Sequence, residues 1–386
     1  MEDGCGNQRP SAMTQPLSPG AQGLRWTTGG ESHGPSLVAI IEGLPAGLGV
    51  DLESIQAGMM RRWEVPGRGP RAKFEKDALS LVGGVKRGVT LGSPLVFLVG
   101  NGDSRIDELP NLAAPRPGHA DLAGVLRHRN RDIRAVLERA SARETAARTA
   151  VGEVARSLLA HFGIQISSQV LEIGGVGADK GEDAWLEAVD QAREAGDTLG
   201  GVFSVKINGS PPGVGGYAQP TDRLDARLMA ALASLPAIKG VEIGLGFSGS
   251  STPGSDYHDG ICIDSEGWAG LGRTSNRCGG IEGGLTTGGE IQLQAVMKPI
   301  STLRKGLPSV DLKEGTDSRA TYERSDVCAV WTAAVVGEAV VALEMASALR
   351  ALLGGVTLSE MVIRFKDLGE DDQVADWPGD LADSGA

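Results

Sequence analysis

Apolar, β-branched runs at 36–41, 94–99, 202–207 and 291–296 predict strands, and amphipathic stretches of helical period lie between them. One helix is predicted to begin after Asp51, a good N-cap, with Leu52, Ile55 and Met59 on one face and Arg61 and Arg62 at its end. A second is predicted over about 132–162, stopping at Gly163. A third starts at Asp326 and runs as a nearly all-apolar helix to Leu353, before Gly354 and Gly355. A helix that is apolar on every side is a buried one, so the third belongs in the centre of the fold. Glycine-bounded pairs of strands point to antiparallel sheets. A doubly wound parallel sheet is not expected, because no G-x-G-x-x-G or G-x-x-x-x-G-K-[ST] is present.

Residues 1–23 are polar and rich in Gly, Pro, Ser and Gln, and read as a disordered leader; 369–386 read as an acidic tail. No linker interrupts 24–368, which is read as one domain. No run of eighteen apolar residues and no secretory signal is seen. Cys5, Cys262, Cys278 and Cys328 are scattered without C-x-x-C spacing, which suits reduced thiols in the cytoplasm and no metal site. A net charge of -12 argues against nucleic acid as a partner, and nothing suggests a membrane. The 57 glycines, about twice the usual share, indicate many tight turns and close backbone approaches.

Candidate chemistry gathers in a few segments. Of the five histidines, His33 lies among glycines in GGESHG, and His119 follows Arg116 and precedes Asp121. Histidine titrates near neutrality and is the default proton carrier, although a structural role is the commoner fate of any single one. His128, His161 and His258 are read as structural. Arg61, Arg62, Arg68 and Arg71 cluster at a helix end and the loop after it, Arg139 and Arg143 share a helical face, and Arg324 precedes Ser325 and Asp326. Guanidinium groups in such places suit phosphates and carboxylates. The glycine-rich run 279–289 leads through a strand to Lys298-Pro299-Ile300-Ser301-Thr302, a cation and two hydroxyls fit for a phosphate-bearing cofactor. The residues alone describe an anion-binding enzyme with histidine acid–base chemistry.

Taken in order, RWTTGGESHG (25–34), RPGHADL (116–122), DIRAVLERASARETAARTAVG (132–152), PAIKGVEIGLGF (236–247), NRCGGIEGGLTTGGEIQLQAVMKPIST (276–302) and ERSDVCAV (323–330) resemble the chorismate synthase family over about 24–355. The resemblance implies an α+β fold, a single-domain β-α-β sandwich with buried helices between two antiparallel sheets, assembled as a homotetramer. It implies a 1,4-anti elimination of phosphate from 5-enolpyruvylshikimate 3-phosphate, with reduced FMN required but no net redox change. By the same resemblance His33, His119 and Asp326 are catalytic: His33 donates a proton to the departing phosphate, His119 protonates reduced flavin, and Asp326 tunes the flavin N5. Ser32, Arg62, Arg68, Arg116, Arg143 and Arg324 are implied substrate contacts. Arg139, Ala140, Ser141, Pro236, Ala237, Gly283, Lys298, Pro299, Ile300, Ser301, Thr302 and Arg324 are implied cofactor contacts. The chain departs from the family pattern at Trp63-Glu64-Val65-Pro66, where relatives usually carry another arginine before Pro-Gly or Gly-Tyr. A binding module that has lost the reaction is disfavoured by the joint presence of His33, His119 and Asp326. A bifunctional form reducing its own FMN with NADPH is disfavoured because no inserted segment is seen.

Overall fold

The computed structural model describes residues 23–66, 77–323 and 325–368; the predicted leader and tail lie almost entirely outside these residues. Strands β1 (Arg25–Gly29), β2 (Ser36–Glu42), β3 (Leu79–Gly83) and β4 (Leu95–Gly100) form one sheet in the order β1-β2-β4-β3. Strands β5 (Gln165–Ile173), β6 (Val176–Gly177), β7 (Gly201–Asn208), β8 (Ile238–Ile243) and β9 (Ile291–Met297) form another in the order β8-β9-β7-β5-β6. Every pairing within both sheets is antiparallel.

Two helices fill the space between the sheets. One, Thr145–Ala160, packs on β2 and β4; the other, Val330–Leu353, packs on β5 and β7, and the two pack on each other. In β2 the even-spaced Leu37, Ala39 and Ile41 are fully buried, the period-2 pattern of a sheet with one face on the core. The 330–353 helix has the length and apolarity of a membrane span, but most of its residues are buried against its neighbours, so it is a core helix. At the crossing of the two central helices Gly152 leaves no room: a Cβ there would lie 2.5 Å from Ala339 Cβ and 2.7 Å from its Cα and carbonyl oxygen. Alanine ordinarily favours a helix over glycine by about 0.5–1 kcal/mol. Backbone atoms cannot swing aside, however, and overpacking costs about 1–3 kcal/mol. Gly152→Ala is therefore expected to lower the thermal unfolding midpoint; an unchanged or raised midpoint would show that the crossing relaxes.

The helix after Asp51 (Leu52–Met60) forms as expected, with Asp51 accepting from the backbone N–H of Glu53 and Ser54 at 3.0 and 3.3 Å. Two expectations need correction. The single helix over 132–162 is broken into Arg134–Ala140, a 3-10 turn Ala142–Glu144 and Thr145–Ala160. Ser141 is extended (ψ 141°), its hydroxyl accepting from Arg143 N at 3.3 Å, while Thr145 Oγ1 donates to Ala142 O at 2.6 Å. Local side-chain bonds thus replace helical ones. The third helix starts at Val330 rather than Asp326 because the segment before it is held in an isolated parallel bridge between Cys328 and Leu199: Leu199 N–H donates to Val327 O at 2.9 Å. Both breaks fall beside one cavity.

Candidate active site

The cavity, about 490 Å³, collects side chains from seven stretches of the described chain. The loop after β1 supplies Ser32 and His33. This loop folds tightly because Gly30, at φ 96°, brings its Cα where a side chain would strike Ser36 O at 2.5 Å. The end of the 52–60 helix supplies Arg62 and Trp63, and the 116–120 turn supplies Arg116 and His119. Ala140, Ser141 and Arg143 come from the break in the second helix, and Pro236 and Ala237 from the turn into β8. Lys298, Ile300, Ser301 and Thr302 follow β9, and Asp326 stands in the extended segment before the long helix.

Each histidine is backed by a buried carboxylate. His33 Nδ1 lies 3.0 and 2.9 Å from the two oxygens of Glu138, and its backbone N–H donates to Glu138 at 2.9 Å. His119 Nδ1 lies 2.5 Å from Asp121 Oδ1. With Nδ1 so engaged, Nε2 is the nitrogen that His33 has available to a ligand; in His119 the Arg116 guanidinium also approaches the ring, at 3.0 Å from Nδ1 and 3.4 Å from Nε2. Burial alone would raise the Glu138 carboxyl, but hydrogen bonds and charge from His33, with a hydrogen bond from Arg134, hold it below the ordinary range. Burial likewise opposes ionisation of Asp121, and the hydrogen bonds from His119 and Arg116 overcome it, holding it far below the usual carboxylate range.

The arginines are more committed than expected. Arg116, expected to clamp a substrate anion, is bonded to Asp121 through Nε (2.8 Å) and an Nη (3.1 Å), and to Thr302 Oγ1 at 3.0 Å. Arg62 and Arg143 converge on Asp77, which is fully buried at φ 45°. Arg62 donates to Asp77 Oδ2 at 2.8 Å and to Thr145 Oγ1 at 3.1 Å. Arg143 pairs with Asp77 Oδ1 and also donates to Asn101 Oδ1 (2.8 Å) and Gly100 O (2.9 Å). Trp63, at the departure from the family pattern, donates its indole N–H to Asp77 at 2.7 Å. Burial pushes the Asp77 carboxyl up, and the two guanidinium groups more than reverse this.

On the facing wall, Lys298 Nζ lies 3.4 Å from Ser301 Oγ, which itself donates to Gly118 O at 3.2 Å. Burial, then the charge of Lys239, lowers the Lys298 ammonium from its ordinary value. Ala237 is held at φ 69° and accepts from Lys298 N at 2.9 Å, locking that wall to the turn before β8. Four cations (Arg62, Arg116, Arg143, Lys298) thus line the cavity with the acids Glu323 and Asp326, while Leu137, Leu235, Ile300 and Val336 form apolar walls. Such a mixture accepts a flat ring together with several anionic groups.

Three residues expected at the site stand elsewhere. Arg139 faces an adjoining cavity that shares Ala140, Ser141 and Pro236, and donates to Gly30 O and Thr28 O, both at 3.0 Å. Pro299 does not line the main cavity, and neither does Gly283, which sits in the turn of the hairpin joining Ile281–Glu282 to Leu285–Thr286. Arg68 and Arg324 lie outside the described residues. The sequence reading missed Asp77 and Glu138 and assigned no part to Asp121. Spacing offered a cue for Glu138, one helical turn after Arg134 and 3.3 Å from it; Asp77 carried none.

The chorismate synthase family profile matches residues 24–350. A chorismate synthase from Geobacter sulfurreducens (strain ATCC 51573 / DSM 12127 / PCA) is 46% identical over 378 residues, an alignment covering 88% of this chain and 96% of that one. One from Desulforudis audaxviator (strain MP104C) is 46% identical over 374 residues, covering 88% and 95%. A chorismate synthase crystal structure superposes with a TM-score of 0.73 at 36% identity, covering 89% of this chain and 96% of that one. With the family profile spanning nearly all of the described fold, the chain belongs to the chorismate synthase family.

Proposed function

We propose that the 490 Å³ cavity is where this shikimate-pathway lyase turns 5-enolpyruvylshikimate 3-phosphate into chorismate, with reduced FMN bound beside the substrate. The observation that carries the assignment is the pair of carboxylate-backed histidines, His33 on Glu138 and His119 on Asp121, facing one cation-lined cavity. The donor set fits a flavin mononucleotide. Lys298, Ser301 and Thr302 suit its phosphate, while Ala140, Ser141, Pro236 and Ala237 form a wall of small groups against which a ring can lie. When bound, reduced FMN supplies a transient electron and receives the proton lost from the substrate, so no net redox change results.

The protein's own part is binding and proton placement. Arg62 and Arg143, fixed by Asp77, present positive charge toward a substrate phosphate or carboxylate, and Arg68 and Arg324 are assigned with them by family position alone. Ser32 positions the leaving phosphate, to which His33 Nε2 gives a proton. Arg116 orients His119 through Asp121, and His119 Nε2 is the second proton station, with Asp326 across the cavity as a third. A cytoplasmic location and a homotetramer belong to the same reading. Cys262, Cys278 and Cys328 are free thiols, the last pushed up to about 11 by burial and hence unreactive. Phe247, Ile261 and Ile263, 79%, 69% and 85% exposed, offer apolar surface for subunit contact.

The test is anaerobic assay of the purified protein with 5-enolpyruvylshikimate 3-phosphate and dithionite-reduced FMN, following chorismate by absorbance. Turnover with reduced but not oxidised FMN is expected. FMN binding without any product would leave a binding protein in place of the enzyme. Light scattering checks the assembly, expected at four times the 39.9 kDa chain.

A further inference from the structure

One residue outside the cavity wall holds both the ring and the backbone N–H of His33, whose carbonyl oxygen is held separately by Ile106 N–H at 3.0 Å. Glu138, 1% exposed, accepts the backbone N–H of His33 at 2.9 Å and places its two oxygens 3.0 and 2.9 Å from the ring Nδ1. Its backbone carbonyl accepts the N–H of the preceding Ser32 at 3.0 Å. A carboxylate is costly to bury unless its charge and lone pairs are engaged. Here the engagements go to the loop that carries His33 and to Arg134, whose Nη1 lies 3.3 Å from Glu138 Oε1. The other nitrogen of Arg134 reaches Glu323 at 3.4 Å, and Glu323 lines the cavity three residues before Asp326. A continuous set of contacts therefore ties the segment bearing Asp326 to the ring of His33.

We propose that Glu138 is a positioning residue for the elimination, acting through His33 and not on the substrate. Through Nδ1–H it pairs with the protonated ring and aims Nε2–H into the cavity, and once Nε2 has given up its proton the neutral ring keeps its remaining proton on Nδ1, as with carboxylates behind other working histidines. The step served moves a proton from His33 Nε2 to a phosphate oxygen as the carbon–oxygen bond breaks and its electron pair leaves with the phosphate. Asp121 and Arg116 make the same arrangement behind His119, so two arginine–carboxylate–histidine sets face one cavity. The proposal rests on the assignment of His33 as proton donor.

The test compares Glu138→Gln, His33→Asn and the double variant. Chorismate formation is measured with pre-reduced FMN, and substrate binding to the oxidised FMN complex by calorimetry. Glu138→Gln is expected to lower kcat roughly 10–100-fold with substrate affinity little changed, the usual scale for loss of a group that orients a functional histidine. The double variant is expected to be no slower than His33→Asn alone, because a residue that acts through another adds nothing once the other is gone. Wild-type kcat in Glu138→Gln, or losses that multiply in the double variant, would overturn the proposal. Full activity in His33→Asn would remove the His33 assignment itself, a distinguishable failure. Should Glu138→Gln not fold for want of a charge opposite Arg134, Glu138→Asp keeps that charge but retracts the carboxylate from Nδ1. An intermediate kcat is then expected, and a wild-type kcat would overturn the proposal.

Discussion

His119→Ala is expected to lower kcat by about two to four orders of magnitude, the range for removing a group that transfers a proton in the rate-limiting chemistry. Binding of substrate and oxidised FMN is expected to change little. The imidazole is a minor part of the cavity wall, and although Asp121 loses its bond to the ring it keeps its two-point contact with Arg116, and Arg116 keeps Thr302. The loss should therefore appear in kcat and not in KM. Stopped-flow measurement with pre-reduced FMN, compared with FMN titration of the same variant, separates the two. Wild-type turnover in His119→Ala would take the second proton station out of the reaction.

Asp77→Asn is expected to destabilise the fold by about 3 kcal/mol, the low end of the cost of stripping one partner from a buried ion pair. Asparagine tolerates the left-handed backbone that this position holds at φ 45°, so the substitution isolates charge from conformation. What remains is two guanidinium groups, Arg62 and Arg143, each 3% exposed at the side chain, facing one another without their shared carboxylate. The amide oxygen still accepts one hydrogen bond, which is why the low end is chosen. The effect has a pH sign. The folded Asp77 carboxyl lies below its ordinary value, so its contribution is full above the unfolded carboxylate range, about pH 4, and is lost as pH falls through the lower folded value. The gap between wild type and variant should be widest near neutrality and close in acid. Urea denaturation at pH 7 and at lower pH measures this, and a gap that stays constant with pH would refute the charge argument.

Much of the fold was legible because its signals are local. Runs of apolar, β-branched residues marked β2, β4, β7 and β9 to within a residue or so, and the nearly all-apolar stretch ending at Leu353 announced a helix with no solvent face. The helix ends were legible where one residue decides them, as at Asp51 and Gly163. They were not legible at Ser141 and before Val330. At Ser141 short side-chain bonds to the neighbouring backbone replace helical ones, and before Val330 the chain is bridged to Leu199, a partner far along the sequence about which local propensity is silent.

The candidate site divides in the same way. Sequence by itself determined which residues can carry chemistry, namely His33, His119, Asp326, Lys298 and the arginines, because a titrating or charged side chain is a property of the residue and its motif. Only the tertiary structure decided what each of them does with its charge. Arg62 and Arg143 meet over Asp77, Arg116 is spent on Asp121, and His33 rests on Glu138 from a helix more than a hundred residues away. Those assignments follow from burial: a charge removed from water takes the nearest opposite charge the packing provides, and packing is settled by the two sheets closing on the central helices, not by neighbours in the chain.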